Sequence, residues 1–211
     1  VVSHEVVHTS RGSRAAGTPF GCAGEMIYTS RQVHARVTAR EISRVIASGR
    51  LIRAGRYYVT PDTAEGVRAA LAAGLRPTCV TAAEVHGLWV PPVAGWHVYA
   101  RRGSPGAGWV GHGWHPSWPE SGPIASPGLL LRHAIRCLDP LEVGILADSA
   151  LHEGLLDQDA VAALTATAPR AVHRVLERTT GTAESGTESK VRLFLQLHNV
   201  SVTPQVQIPG V

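Results

Sequence analysis

The sequence predicts an α+β fold in which a small helix-and-hairpin module precedes a mixed α/β region with a helical C-terminal half. Three observations predict it. Residues 28–59 hold two capped, apolar-periodic segments and then two short runs of β-formers around a glycine turn. Residues 76–112 break into short apolar runs separated by glycine and proline. From Ser126 onward, one cap after another opens a helical pattern.

Thr29 caps an expected helix that runs through Arg36. Thr38 opens a second with a Thr-x-x-Glu box ending at Glu41, where each side chain satisfies the other's orphan backbone N–H. Ile42, Val45 and Ile46 share one face of that helix and are expected to bury it. Gly49 stands where a left-handed C-cap residue belongs. Leu51-Ile52-Arg53 and Tyr57-Tyr58-Val59 flank Ala54-Gly55-Arg56 and read as a hairpin. Helix, turn, helix and hairpin in this order make a winged helix-turn-helix.

Charge points the same way. Arg36, Arg40 and Arg44 repeat at i+4 along one side of the helix pair, away from the apolar face. Arg31, Arg50, Arg53 and Arg56 add to them, and Glu41 is the sole acidic residue between positions 28 and 59. Residues 1–60 hold nine Arg against three Glu, a balance of +6; residues 61–130 balance at 0 and residues 131–211 at −2. The positive field is thus concentrated where phosphates would be met. Arg31, Gln32, Arg36, Thr38, Arg40, Ser43, Arg44, Arg50, Arg53, Arg56 and Tyr57 are the candidate DNA-contacting residues, with Arg reaching guanine edges and Ser or Thr holding phosphate. The competing reading is a solvated face on an ordinary helical domain.

The rest of the chain frames this module. Residues 1–25 are rich in Ser, Gly, Thr and Ala and read as a flexible arm. Residues 61–71 are an expected helix, residues 76–80 a short buried strand, and Thr81 to Glu84 a capping box opening a helix that ends near Gly87. Residues 96–100 and 109–112 read as strands. Ser126-Pro127, Asp139-Pro140, Asp157 and Pro169 each open a helix. A Gly/Ser/Thr-rich stretch at 179–187 reads as a boundary, followed by a capped helix and a strand at 206–208. The expected domains are therefore 1–25, 26–61, 62–180 and 181–211.

Composition excludes several classes. With 44% hydrophobic residues a core forms, yet no apolar run is long enough to span a bilayer. Cys22, Cys79 and Cys137 are scattered and odd in number, which fits a reducing, cytoplasmic setting rather than a disulfide framework. His112-x-x-His115 has a usable metal spacing, but no cysteine lies near it in sequence. Cys79, placed in an apolar run, reads as core rather than as a nucleophile beside His86. No phosphate-binding glycine loop or Gly-x-Ser-x-Gly elbow is found. No metal, no cofactor and no enzyme activity are expected.

The order of motifs resembles the AbiEi-like, type IV antitoxin-related proteins of actinobacteria. The residues that carry the resemblance are Ser48-Gly49-Arg50-Leu51-Ile52-Arg53 with Tyr57-Tyr58, and Thr81-Ala82-Ala83-Glu84-Val85-His86-Gly87-Leu88. Ala147-Asp148-Ser149-Ala150-Leu151 and Ser185-Gly186-Thr187-Glu188-Ser189-Lys190-Val191-Arg192 continue it. The resemblance implies a winged helix, a middle domain and, in many relatives, an endonuclease-like domain related to very-short-patch repair nucleases. Glu188 resembles the helix carboxylate of that nuclease fold, but the other catalytic residues would lie beyond residue 211. The expected function is therefore sequence-specific binding of double-stranded DNA as a transcriptional regulator, an antitoxin-type autorepressor or a phage-type repressor. The alternatives are a fragment of a metal-dependent endonuclease and an interaction protein acting through the helical half. A toxin protein or a second copy of the chain is the further expected partner; a membrane is not.

Overall fold

The structure is a computed structural model and describes residues 27–99, 105–113 and 122–202. The expected arm at 1–25, Cys22, His115 and the expected strand at 206–208 lie outside the described residues. Helices and small sheets are mixed along the chain, as the α+β class requires. The chain divides into two compact units, residues 1–75 and 76–211.

Unit 1 runs β1 (Ile27–Thr29), α1 (Ser30–Arg36), α2 (Ala39–Ala47), β2 (Ile52–Ala54), β3 (Tyr57–Val59) and α3 (Glu65–Ala72). Both early helices start where their caps predict. Thr29 and Gln32 close one capping box, and Thr38 and Glu41 close the other. Gly49 takes φ +72 after the Ser48 C-cap, the left-handed geometry that lets the chain leave α2 for β2. Strand β1, which the sequence does not announce, pairs antiparallel with β3, and β3 pairs with β2, giving the order β1-β3-β2. Tyr28, Val33, Ile42, Val45 and Leu51 form the core under this sheet. Ile46, expected on the same buried face, does not join them and is 37% exposed. Helix α3 begins at Glu65 rather than at 61, with residues 61–64 forming turns before it.

The hairpin turn is held close to α3. Gly55 has φ +60, and a Cβ there would meet the Leu71 carbonyl oxygen at 2.5 Å. Helix α3 packs on β2 and β3, and unit 1 extends past it to residue 75, beyond the expected boundary at 61/62.

Unit 2 runs β4 (Arg76–Pro77), α4 (Cys79–Val85), β5 (Trp96–Tyr99), β6 (Trp109–His112), α5 (Pro127–Ala134), α6 (Pro140–His152), α7 (Gln158–Thr165), α8 (Arg170–Leu176) and α9 (Gly186–Leu197). Its sheet has the order β4-β5-β6, with β4 antiparallel and β6 parallel to β5. The expected strand at 76–80 is shorter than its residues suggest: β4 ends at Pro77 and α4 starts at Cys79. Thr81 is therefore inside α4 rather than its cap, and its buried Oγ1 accepts from the His97 N–H at 2.7 Å.

Helix α6 is the centre of unit 2. Residues 143–150 are all buried, so it is covered on every side, as an apolar helix with little amphipathicity should be. Gly144 lets α8 and α9 approach it closely; a Cβ there would collide with the Val175 and Leu193 side chains. Because α9 packs on α6, the expected boundary near 180 falls inside unit 2. No helix among the described residues is long and apolar enough to cross a membrane.

Candidate functional site

The solvent face of α2 presents Arg40, Ser43 and Arg44, all exposed. They lie opposite the buried Ile42 and Val45, so the core holds the helix while this face stays open. Ser43 Oγ donates back to the Ala39 carbonyl at 3.3 Å. Glu41, the sole acid on these helices, is folded back: its carboxylate accepts from Thr38 N at 2.8 Å and Thr38 Oγ1 at 2.7 Å. Those bonds, helped by Arg44, hold its carboxyl below the usual range. Among the described residues no hydrogen bond or ion pair engages the guanidinium of Arg31, Arg40 or Arg44, all three exposed.

The remaining predicted residues divide in two. Arg50, Arg53 and Arg56 are exposed but locally tethered. Arg50 Nε donates to Ser48 Oγ at 3.2 Å, Arg53 Nε donates to the Gly55 carbonyl at 3.3 Å, and the Arg56 guanidinium sits 5.0 Å over the Tyr57 ring. Arg36 sits likewise 5.0 Å over Tyr28. Gln32 and Thr38 spend their side chains on caps. Tyr57, expected at the surface, is only 6% exposed; its alternate position in β3 faces the core, and its ring serves as the platform under Arg56.

A second constellation lies in unit 2. Cys79 opens α4, His97 is in β5, His112 is in β6 and Cys137 follows α5. The β5–β6 register pairs His97 with Val110 and Tyr99 with His112, so the two imidazoles are diagonal neighbours on one sheet face. His97 Nδ1 lies 3.1 Å from His112 Nε2 and 3.5 Å from Cys137 Sγ. One ligand atom from each of Cys79, His97, His112 and Cys137 falls within 4.8 Å of every other. Burial lowers the basicity of His97, and His112 is pushed down to about 3 by burial and by the neighbouring His133 and His97. Burial, reinforced by Cys137, pushes the Cys79 thiol up to about 12. Cys79 also has φ +48, a left-handed conformation that costs a non-glycine residue roughly 1–2 kcal/mol. A cavity of about 210 Å³, lined in part by His112, Arg132, Arg136 and Cys137, opens beside the cluster.

Spacing along the chain gives no sign of this constellation, because its members are spread from 79 to 137 with no close cysteine pair. Cys79 is buried in the core as expected, but at the start of α4 rather than in a strand, and that helix start has an unusual backbone with no sequence signature. The Glu188 carboxylate accepts from the Glu184 N–H at 2.9 Å at the start of α9.

Compared with known proteins, the chain matches no protein-family model, and no curated protein matches it. Among solved structures, the RV2827C protein from Mycobacterium tuberculosis is similar at 12% identity and a TM-score of 0.36, over 85% of this chain and 78% of that one. A likeness at that level assigns neither fold nor function.

Proposed function

We propose that the chain binds double-stranded DNA through unit 1 and acts as a sequence-specific transcriptional regulator, an autorepressor or phage-type repressor. The observation that carries this reading is the open face of α2: Arg40, Ser43 and Arg44 are exposed on it while Glu41, the one carboxylate of α1 and α2, is tied to Thr38. A helix of this kind, second in a helix-turn-helix, is suited to a major groove, where an arginine gives bidentate contact to guanine. Ile46, exposed on the flank of the same helix, adds an apolar group of the kind that meets a thymine methyl. Arg53 and Arg56 on the β2–β3 hairpin are placed for phosphate or minor-groove contact, as in a wing. The motif order that resembles AbiEi-like proteins agrees with this reading.

The test is a selection from random duplexes followed by titration of Ala variants against the selected and a scrambled site. Loss of a bidentate guanine contact costs about 1–3 kcal/mol, so Arg40→Ala or Arg44→Ala should narrow the gap between the two sites. Arg53→Ala and Arg56→Ala should weaken both sites alike. If neither Arg40→Ala nor Arg44→Ala narrows the gap, α2 is not the reading element.

A further inference from the structure

We propose that Cys79, His97, His112 and Cys137 bind a single zinc-type divalent cation, forming a structural metal site in unit 2. The proposal stands on geometry. Four residues that are distant in sequence, from α4, β5, β6 and the segment after α5, turn their ligand atoms toward one point. A tetrahedral zinc with Zn–N of about 2.0–2.1 Å and Zn–S of about 2.3 Å needs ligand–ligand separations of roughly 3.3–3.8 Å. The His97–His112 and His97–Cys137 separations, 3.1 and 3.5 Å, are close to those values, and the widest, within 4.8 Å, has to close by only about 1 Å.

The chemistry of the set selects the ion. Two sulfurs and two imidazole nitrogens with no carboxylate suit zinc and disfavour calcium or magnesium, which want oxygen. Four protein ligands fill a tetrahedron and leave no open position, the pattern of a structural site rather than a catalytic one. Binding replaces the Cys79 and Cys137 thiol protons with the metal and releases two protons to solvent; the imidazoles donate as neutral rings. Two thiolates against a divalent cation give a neutral centre, so Arg132 and Arg136 at the mouth face no net charge once the ion is in. The cavity that they share with Cys137 and His112 is a route for entry. The left-handed backbone at Cys79 fits the same purpose, since a strained residue persists where something outside the local chain fixes it. A purely packed interior would fill this place with apolar side chains at lower desolvation cost.

The experiment uses the full chain, reduced and stripped with a chelator. Added Co²⁺ should be taken up one per chain, with the intense visible bands of tetrahedral cobalt and a thiolate-to-cobalt charge-transfer band. Zn²⁺ should displace it and protect two of the three thiols from a thiol reagent. Cys137 is the exposed member of the set, so Cys137→Ser tests the site with least risk to folding, which tryptophan emission and circular dichroism check. Outer-sphere partners alone are worth about 10–100-fold in metal affinity, so removing this ligand should weaken Co²⁺ binding by at least about 100-fold, whereas Cys22→Ser leaves it unchanged. A folded, reduced chain without the tetrahedral spectrum overturns the proposal. So does an affinity unchanged by Cys137→Ser, or zinc that protects no thiol.

Discussion

Asp148 and Arg192 place opposite charges in the interior of unit 2, with the carboxylate fully buried and the guanidinium nearly so. Every oxygen of Asp148 is used. Oδ1 accepts from Thr180 N at 2.8 Å and Gly181 N at 3.1 Å, and Oδ2 accepts from Ser189 Oγ at 2.6 Å and from Arg192 Nη2. Arg192 also donates to the Arg178 carbonyl at 2.7 Å and to Gln196 Oε1 at 3.1 Å. The pair therefore ties α6 to α9 and to the loop before α9. Removing one partner leaves a buried charge uncompensated, which costs about 3–5 kcal/mol, so Asp148→Ala should destabilise unit 2 by that amount. Replacing both, as Asp148→Leu with Arg192→Met, should recover most of the loss, because apolar substitutes of similar volume are often neutral in such places. Urea denaturation followed by tryptophan emission measures both, since all five tryptophans lie in residues 76–211. A single variant that loses less than 1 kcal/mol would mean the charges reach solvent in the folded protein.

The elements differ in how plainly the sequence announces them. Caps are legible because four adjacent residues hold the whole device: Thr38 with Glu41, and Asp139 with Glu142, form as written. Gly55 is legible as a turn residue, but its second role depends on α3, sixteen residues on at Leu71, and is invisible in the sequence. Gly55→Ala combines a left-handed φ with a backbone clash. It should destabilise unit 1 by about 2 kcal/mol or more, above the penalty for alanine in that conformation alone. Amide exchange should then quicken in β2 and β3 while α6 and α9 stay protected; equal effects in both units would refute the account. Strand β1 is illegible because three residues become a strand only through pairing with β3. Helix α4 is misread because Cys79 and Val80 have β-like character, yet the chain needs a helix there to fill the core beside α5. The candidate DNA face is local in sequence and could be read from it. The Cys/His cluster is assembled from four separate elements, and only the parallel β5–β6 register brings its histidines together.

Charge is divided between the two units. Residues 1–75 hold ten arginines against five acids, a balance of +5, while residues 76–211 hold ten basic and eleven acidic residues, a balance of −1. Unit 1 should accordingly supply nearly all of the electrostatic affinity for a polyanion. If about five phosphates are neutralised, the logarithm of the binding constant should fall against the logarithm of salt with a slope near −4.5. A fourfold rise in salt then weakens binding roughly 500-fold on the same relation. Arg56→Ala removes one exposed phosphate partner and should make the slope shallower by about one unit. The contrast is Arg170→Ala with Arg174→Ala, two exposed arginines one turn apart on α8 of unit 2, which should leave the slope where it was. Fluorescence anisotropy with one labelled duplex at four salt concentrations gives all three slopes. A slope near zero for the unaltered chain rules out phosphate contact as the basis of binding. If instead the α8 pair changes the slope as much as Arg56→Ala does, the nucleic-acid face extends onto unit 2, and the assignment of binding to unit 1 alone is wrong.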